Sequence, residues 1–368
     1  MGRILMFIVF LSIVTIIYFG MHYVVFKALV KGFDMAKGTV FWFRIFFIAS
    51  GLSFYASIIL SRAFHIYVLN YYAYVWLGIL SIAFAVSLLQ WLLMAFFPAH
   101  ARHFAIVAVA LMVGLSAYSL ANGMRKPVVR QLDIPLKHLP TDRQGFSVVQ
   151  LSDVHLEKFK STQAVKDIVE IVNSLYPDLV VITGDLIDGN VCEDGYFCGQ
   201  LLKLNPTHGT IGITGNHEYF AGIDMFLEIA RESKIKVLRN EMIVVDDWLQ
   251  VIGVEDREAG RFGAAKADIE SLIAACDPKK PILLLNHRPS GFDEAAAMGV
   301  DLQLSGHTHA GQIPPLDILV YFMYKYHYGL FEKNGSYIYT SSGTGFWGPP
   351  MRLSSRNEIV RFVFKKGE

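Results

Sequence analysis

The sequence predicts two structural classes in one chain: an all-α transmembrane region, followed by an α/β domain in which helices flank two packed mixed β-sheets. Apolar residues make up 53% of the 368 residues and are concentrated in the first third, whereas short apolar runs alternate with helical spacing later. Of 32 acidic residues, only Asp34 lies before residue 125. We therefore expect a four-helix region at 1–124, a linker at 125–143 and a second domain at 144–368.

Four apolar stretches in the first region are long enough to cross a hydrocarbon core of about 30 Å as helices. They lie at roughly 4–26, 40–60, 73–97 and 104–121. The first stretch has no small-residue cleavage site and is followed by three more spans, which favours an uncleaved anchor over a signal peptide. We expect a multi-pass protein of the inner (plasma) membrane.

The orientation of these helices depends on basic residues that nearly balance across the two faces. Arg125, Lys126 and Arg130 cluster just after the fourth stretch. Because cytoplasmic loops carry the excess of Lys and Arg, this cluster favours a cytoplasmic second domain.

Charge and cysteine content exclude some classes of function. The formal net charge of +1 argues against a nucleic-acid partner, and no feature of the sequence requires a protein partner. Cys192, Cys198 and Cys276 have neither metal-binding nor redox spacing, so we expect free thiols.

The second region begins with a polar stretch, Lys126 to Gly145, that contains three prolines and predicts a surface linker or an edge strand. Strands at 146–151, 178–183 and 210–214, with helices at 162–175 and 223–232 between and after them, predict three parallel strands. The remaining patterns begin with apolar runs at 242–245 and 248–254. They then predict helices near 265–275 and 290–298, and strands at 281–285, 301–304, 336–341 and 358–364.

Polar motifs follow several of these predicted strands, where an α/β sheet usually places its active site. Asp185 lies 32 positions after Asp153, and Asn216 lies 31 positions after Asp185. Each interval is close to one βαβ period, so the motifs should lie side by side. The motifs are Asp153-Val154-His155, Gly184-Asp185-Leu186-Ile187-Asp188, Gly215-Asn216-His217-Glu218 and Gly306-His307-Thr308-His309.

Seven side chains in or near these motifs offer oxygen and nitrogen donors without a thiolate. Such a set suits manganese, iron or zinc better than calcium or magnesium. We expect Asp185, central in the series, to bridge two ions through its two carboxylate oxygens. The candidate ligands are Asp153, His155, Asp185, Asn216, His287, His307 and His309.

Glycines precede three of the candidate ligands: Gly184, Gly215 and Gly306. A strand that turns sharply at its end needs a residue without a β-carbon where backbone approaches a site closely. We therefore expect these glycines to allow such an approach.

Together the motifs resemble those of the calcineurin-like metallophosphoesterase superfamily over about residues 144–365. The resemblance implies two divalent metal ions, with manganese first and iron or zinc as alternatives. It implies a first metal held by Asp153, His155, Asp185 and His309. The second would be held by Asp185, Asn216, His287 and His307.

The resemblance also implies the reaction, which is hydrolysis of a phosphoester or pyrophosphate bond by metal-activated water. His217 would be a non-ligand proton donor near the leaving group, and Asp188 would orient it. Two metals and a protonated imidazole are suited to this chemistry.

Later motifs, among them Tyr328-Gly329-Leu330 and Gly343-Thr344-Gly345, resemble a membrane-anchored bacterial branch of the superfamily. Asn357 departs from it, since proline is expected there. The branch includes UDP-2,3-diacylglucosamine pyrophosphohydrolases of lipid A biosynthesis, which implies a lipid-linked substrate. Two alternatives remain: a general phosphodiesterase or phosphatase of the cell envelope, and a transmembrane sensor or transporter with a regulatory metal-binding domain.

Two further features have open interpretations. The aromatic segment 316–326 predicts an apolar lid for acyl chains, a segment in the bilayer surface, or a packed core element. Arg288, next to His287, either contacts a substrate phosphate, faces solvent or pairs with an acid.

Overall fold

The computed structural model describes residues 2–64, 68–157, 162–188 and 196–367. The chain divides into two compact units, each built from segments that are distant in sequence. The first unit contains Met1–Met124, Ile313–Leu316 and Gly348–Leu353. The second contains Arg125–Gln312, Asp317–Trp347 and Ser354–Glu368.

The α-helices of the described residues include four long ones at the start of the chain and short ones after it. They are α1 Gly2–Phe33, α2 Lys37–Phe64, α3 Val68–Phe96, α4 Ala101–Gly123, α5 Thr162–Ser174, α6 Tyr196–Leu201, α7 Asn216–Ala221, α8 Ile223–Glu232, α9 Ile269–Ala274, α10 Phe292–Ala297 and α11 Leu316–Met323.

The strands all belong to the second unit. They are β1 Val128–Leu136, β2 Ser147–Leu151, β3 Leu179–Thr183, β4 Thr210–Ile213, β5 Ile235–Val237, β6 Glu241–Val245, β7 Leu249–Gly253, β8 Ile282–Leu285, β9 Leu302–Ser305, β10 Gly329–Lys333, β11 Ser336–Thr340 and β12 Glu358–Lys366.

The four predicted apolar helices are present in the first unit as α1 to α4. Each has the length and composition to cross a membrane, over Leu11–Phe33, Lys37–Ser61, Leu69–Phe96 and Pro98–Gly123. Large apolar side chains on these helices are exposed; Ile16, Trp42 and Phe96 are each 70% exposed. Apolar outer faces are what helices in contact with lipid require, since lipid tails are themselves apolar.

Two later segments of the chain pack against these helices inside the first unit. Ser81 Oγ on α3 donates a hydrogen bond to the Pro314 carbonyl over 2.7 Å. Asn122 Nδ2 on α4 donates to the Arg352 carbonyl over 2.9 Å. Met351 is fully buried and packs with Ile82 and Ile313. The helical unit is therefore completed by residues that come almost two hundred positions or more after its last helix.

The second unit has the predicted α/β class, with two mixed six-stranded sheets. Their strand orders are β1-β12-β2-β3-β4-β5 and β10-β11-β9-β8-β7-β6. In the first sheet β2, β3 and β4 run parallel, as predicted, and in the second β7, β8 and β9 do so. Alternate residues of both sheets form one buried cluster, which includes Val181, Leu283 and Phe362. The sheets thus pack face to face, and helices cover their outer faces.

Short and edge elements differ most from the predictions. The stretch predicted as a linker or edge strand includes β1, which pairs in parallel with β12 at the edge of the first sheet. Strands β5 and β10 were not predicted. Strand β5 has only three residues, and the sequence of β10, Gly-Leu-Phe-Glu-Lys, is neither an apolar run nor an alternation of apolar and polar residues. Helix α9 is shorter than expected because the Asp268 side chain caps it by accepting from Ser271 N–H.

Two of the three cysteines lie in the described residues. Cys198 and Cys276 are both buried, and Cys276 is a free thiol, as expected. Cys192 lies outside the described residues.

Candidate metal centre

The candidate ligands lie at the carboxyl ends of five strands, three in one sheet and two in the other. Because β2, β3 and β4 are parallel neighbours, as are β8 and β9, the segments that leave them emerge at the same edge of each sheet. Asp153 and His155 follow β2, Asp185 follows β3, Asn216 follows β4, His287 follows β8, and His307 and His309 follow β9.

The structure brings these side chains into contact around Asp185. His287 Nε2 lies 3.2 Å from Asp185 Oδ2, and His155 Nε2 lies 3.8 Å from the same oxygen. On the other side, His155 Nε2 lies 3.0 Å from His309 Nε2, which is 3.4 Å from Asp153 Oδ1. The imidazoles of His287 and His155 therefore both face Oδ2 of Asp185, whereas its Oδ1 accepts a hydrogen bond from His217 N–H over 2.9 Å. One oxygen of Asp185, instead of the two expected from the sequence, stands between the donor groups.

Three groups of side chains have donor atoms close enough to share a cation, with all atoms of a group within 4.8 Å of one another. Asp185 belongs to two of them, and His155 also belongs to two. The assignment of individual ligands stays a prediction. The groups are Asp153 with His155 and His309, His155 with Asp185 and His217, and Asp185 with His287 and His307.

The chemistry of the donor set fits divalent cations. Asn216 Oδ1 is buried and has no hydrogen-bond partner among the described residues. Buried polar atoms are normally paired, so an unpaired amide oxygen among these candidate ligands suits the binding of a cation. Imidazole nitrogens and carboxylate oxygens in one pocket are the ligands that manganese, iron and zinc accept.

The backbone of the site adopts an uncommon conformation. Five of the seven candidate ligands have a positive φ: Asp153, His155, Asp185, His307 and His309, with φ between 49° and 70°. Residues other than glycine rarely occupy this region, and such outliers cluster at functional sites.

Two glycines that precede candidate ligands allow close approach, as expected. The groups that approach these glycines are carboxylates of other candidate ligands. A β-carbon at Gly215 would overlap the Asp185 carboxylate, and one at Gly306 would overlap the Asp153 carboxylate. Glycine is therefore required at both positions for the carboxylates to occupy their places.

Glu218 organises the centre without being one of its candidate ligands. Its fully buried carboxylate accepts hydrogen bonds from Leu186 and Ile187 N–H through Oε1, and from Asp185 and Gly215 N–H through Oε2. Burial and the charge of Asp185 raise the pKa of Glu218 to about 7, although its hydrogen bonds to backbone N–H groups act in the opposite direction.

Sequence reasoning gave Glu218 no role, although a signal was present. It is the third residue of α7, and a Glu at that position of a helix commonly folds back onto the N-terminal backbone.

His217 and Asp188, the predicted proton donor and its partner, lie within hydrogen-bond distance of each other. His217 Nδ1 is 3.0 Å from Asp188 Oδ1. Burial disfavours a charged imidazole, but the bond to Asp188 and the nearby carboxylates outweigh it and raise the pKa of His217 to about 9. The rings of Phe220 and Trp347 flank His217, with centroids 5.6 and 6.0 Å from its own.

Arg288 pairs with an acid, one of the alternatives left by the sequence. Its Nε lies 2.6 Å from Asp256 Oδ2, and its Nη2 lies 3.2 Å from Asp256 Oδ1. Arg288 Nη1 is also 2.9 Å from His307 Nε2. Burial, His287 and Arg288 together lower the pKa of His307 to about 2. A neutral imidazole is the form that binds metal ions.

The chain is similar in sequence to known phosphoesterases. The family model described as calcineurin-like phosphoesterase matches residues 146–311. A Danio rerio protein named transmembrane protein with metallophosphoesterase domain is 35% identical over 273 residues, which cover 71% of this chain and 62% of that protein. The chain thus spans less than two thirds of that relative.

A second relative is covered almost completely. An uncharacterized metallophosphoesterase of Aquifex aeolicus is 33% identical over 246 residues, which cover 64% of this chain and 91% of that protein. Among solved structures, a dimetal phosphatase from Danio rerio aligns with a TM-score of 0.40 and 12% identity, over 60% of this chain and 93% of that one.

Proposed function

The chain belongs to the calcineurin-like phosphoesterase family, and on that premise we propose that it is a metal-dependent hydrolase of phosphoester or pyrophosphate bonds. The observation that carries the proposal is the convergence of carboxylate, amide and imidazole donors around Asp185. Asp153, His155, Asp185 and His309 would hold one ion, and Asp185, Asn216, His287 and His307 the other. When bound, two such ions polarise a phosphoryl oxygen and lower the pKa of water.

His217 is the proposed proton donor to the leaving group. Its Nδ1 faces Asp188, so its other ring nitrogen, Nε2, is the one available to a substrate. Asp188 holds the ring and favours its protonated form. His217 would therefore deliver a proton from Nε2 to the departing oxygen.

The proposed substrate is lipid-linked. The four apolar helices and the resemblance of the later motifs to a membrane-anchored branch support this proposal. UDP-2,3-diacylglucosamine is the compound to test first, because it joins a pyrophosphate to two acyl chains. The competing proposal, a general phosphodiesterase or phosphatase of the cell envelope, expects turnover that does not depend on acyl chains.

The test uses the purified full chain in lipid nanodiscs with Mn²⁺, a generic phosphodiester and the lipid-linked pyrophosphate. We expect His217→Ala to lower kcat by about 10²-fold or more, the range of a lost general acid. Asp185→Asn, which removes the carboxylate shared by the two proposed ion sites, should lower kcat at least as much. The matched controls are Asp224→Asn, at an exposed position of α8, and His208→Ala, two residues before β4, whose other end leads to the site. Wild-type activity in Asp185→Asn would reject the proposed enzyme.

A sensor or transporter with a regulatory metal-binding domain predicts a different outcome. Such a protein would bind Mn²⁺ in a manner sensitive to Asp185→Asn but would turn over neither substrate. The scarcity of charged residues in the four spans disfavours an ion or polar solute pathway.

Of the division predicted from the sequence, we propose the helices at 1–124 as the membrane region and 144–368 as the hydrolase domain. The stretch 125–143, predicted as a linker, holds β1 and belongs to the second unit, whereas Ile313–Leu316 and Gly348–Leu353 belong to the first. The hydrolase domain would lie on the cytoplasmic side of the plasma membrane, since Arg125, Lys126 and Arg130 follow the fourth span. Protease added to intact cells should leave this domain whole, whereas opened cells should lose it.

A further inference from the structure

Helix α11 is an apolar helix with no buried residue. Six of its eight side chains are exposed and apolar: Leu316, Ile318, Leu319, Tyr321, Phe322 and Met323. Phe322 is 78% exposed and Met323 is 71% exposed. Soluble surfaces rarely show so continuous an apolar patch, so the core interpretation of this helix is wrong and its surface needs an occupant.

The chain enters α11 from inside the helical unit. Ile313 is 2% exposed and packs with Ile82 of α3 and with Met351. Pro314 accepts its hydrogen bond from Ser81, which lies within the span Leu69–Phe96. Leu316, the first residue of α11, still belongs to this unit. The apolar helix therefore starts where the chain leaves the four membrane-spanning-capable helices.

The chain leaving α11 is fixed by polar contacts in the second unit. Tyr326 is buried and its hydroxyl donates to Asp293 Oδ1 over 2.9 Å. Lys325 Nζ lies 2.7 Å from Asp293 Oδ2, and Lys333 Nζ also pairs with Asp293. The segment before α11 is thus held in the first unit, and the segment after it is held in the second.

We propose that α11 lies in the interfacial layer of the bilayer, with its apolar side chains among the acyl chains beneath the headgroups. Continuity with the helical unit favours lipid as the occupant over a protein partner. Composition agrees: Asp317 is the only charged residue of the helix, and Tyr321 and Tyr324 are of the type enriched at membrane interfaces. Only seven positions separate Leu316 from His309, so the helix would hold the end of a candidate ligand loop close to lipid.

The experiment measures the depth of a fluorophore and needs no enzymatic activity, so its result is independent of the proposed function. Phe322→Cys and Leu319→Cys are labelled separately with an environment-sensitive nitrobenzoxadiazole group on the full chain. Each is placed in nanodiscs of phosphatidylcholine and phosphatidylglycerol that hold one chain per disc. The control is Tyr176→Cys, 85% exposed in the second unit. The unsubstituted chain, labelled in parallel, gives the background of the native cysteines.

We expect lipids with a doxyl group near the headgroup to quench both α11 labels at least threefold more strongly than the label at position 176. A doxyl group at the acyl terminus should quench them less. Labels at 319 and 322 that iodide quenches as readily as the control label would overturn the proposal.

Other occupants give different results. Labels shielded from iodide without lipid quenching would indicate a lid over the protein's own site, and would also overturn it. The same labels are also measured in larger discs that hold two chains. Shielding in those discs, without shielding in the one-chain discs, would assign the surface to a second copy of the chain instead of lipid.

Discussion

Five candidate ligands have a positive φ, so contacts with surrounding residues must hold the backbone of the metal centre in this conformation. Each such residue costs of the order of 1–3 kcal/mol in backbone strain. Buried carboxylates supply the opposing contacts: Asp153 accepts from His307 N–H, and Asp185 accepts from His217 N–H. Glu218 does the same for the Asp185 loop. Acidic side chains in this site therefore position the backbone as well as offering metal ligands.

Glu218→Gln tests this positioning. The amide keeps the size of the side chain but turns one acceptor into a donor that faces backbone N–H groups, so the Asp185 loop loses hydrogen bonds. We expect Mn²⁺ affinity to fall about 10–100-fold, the usual range for a residue that orients ligands. Calorimetric titration of the full chain measures it. The control is Glu228→Gln on α8, whose side chain is 65% exposed; equal affinities for both variants would contradict the role.

Gly215→Ala tests the close approach to Asp185. The added β-carbon would overlap the Asp185 carboxylate, so either the loop or the ligand must shift. We expect a loss of about 1–3 kcal/mol in the free energy of unfolding, as for overpacked sites, together with loss of Mn²⁺ binding. Denaturant unfolding and metal titration give both values.

The matched control for this substitution is Gly199→Ala in α6, where a β-carbon meets open space. Alanine there should be neutral or stabilise by about 0.4–1 kcal/mol. If both alanine variants bind Mn²⁺ like the wild type, Gly215 has no steric role.

At the scale of the elements, parallel strands determine where the candidate ligands lie. The ion cluster around Asp293 holds the segment that follows α11. Strands β2, β3 and β4 deliver Asp153, Asp185 and Asn216 to one edge because consecutive parallel strands share a direction. Helix α11, by contrast, has no buried residue, so its position depends on the contacts of the residues that flank it.

Asp293→Asn tests the attachment of the segment after α11. Lys325, Lys333 and Tyr326 together hold the pKa of Asp293 well below its usual range, so the carboxylate is charged throughout the neutral range. Without that charge, we expect amide hydrogen exchange in 324–333 to accelerate while Mn²⁺ affinity stays unchanged. Mass spectrometry of exchanged peptides measures this. Unchanged exchange relative to Asp224→Asn would show that the cluster contributes nothing.

At the scale of the whole molecule, the first unit combines the helices at the start of the sequence with two segments from its last sixth, Ile313–Leu316 and Gly348–Leu353. Glycines on two helices make room for the later segment: a β-carbon at Gly78 would overlap Met351 Sδ, and one at Gly123 would meet the Pro350 backbone. Arg352 N–H donates to the Ser119 carbonyl over 2.9 Å, so the segment is bonded as well as packed.

Gly78→Leu should displace the segment Gly348–Leu353 from the helices, because the new side chain would overlap Met351 and press against Pro349 Cβ. We expect faster amide exchange at Met351 and Arg352 and a lower thermal midpoint of the full chain. Gly114→Leu on α4 is the control, since a β-carbon there meets nothing within 4 Å. Equal exchange in the two variants would show that the segment does not depend on Gly78.

Local patterns in the sequence determined the classes of structure and most of the candidate site. Long apolar runs predicted α1 to α4, and alternation predicted β2, β3 and β4 in parallel, because burial demands a matching period of side chains. The spacing of Asp153, Asp185 and Asn216 predicted that these side chains would lie side by side at the strand ends, and the family resemblance grouped His287, His307 and His309 with them. These properties depend on neighbours within about thirty residues and can be read from one chain.

Only the tertiary structure decided the contacts between distant segments. Local periodicity does not encode which pieces of chain meet, so the four backbone N–H groups held by Glu218 and the Asp256 partner of Arg288 could not be read beforehand. The packing of Ile313 and Met351 among the helices is of the same kind. The exposure of α11 could not be read from the sequence either, because an apolar helix has the same sequence pattern whether protein or lipid covers it.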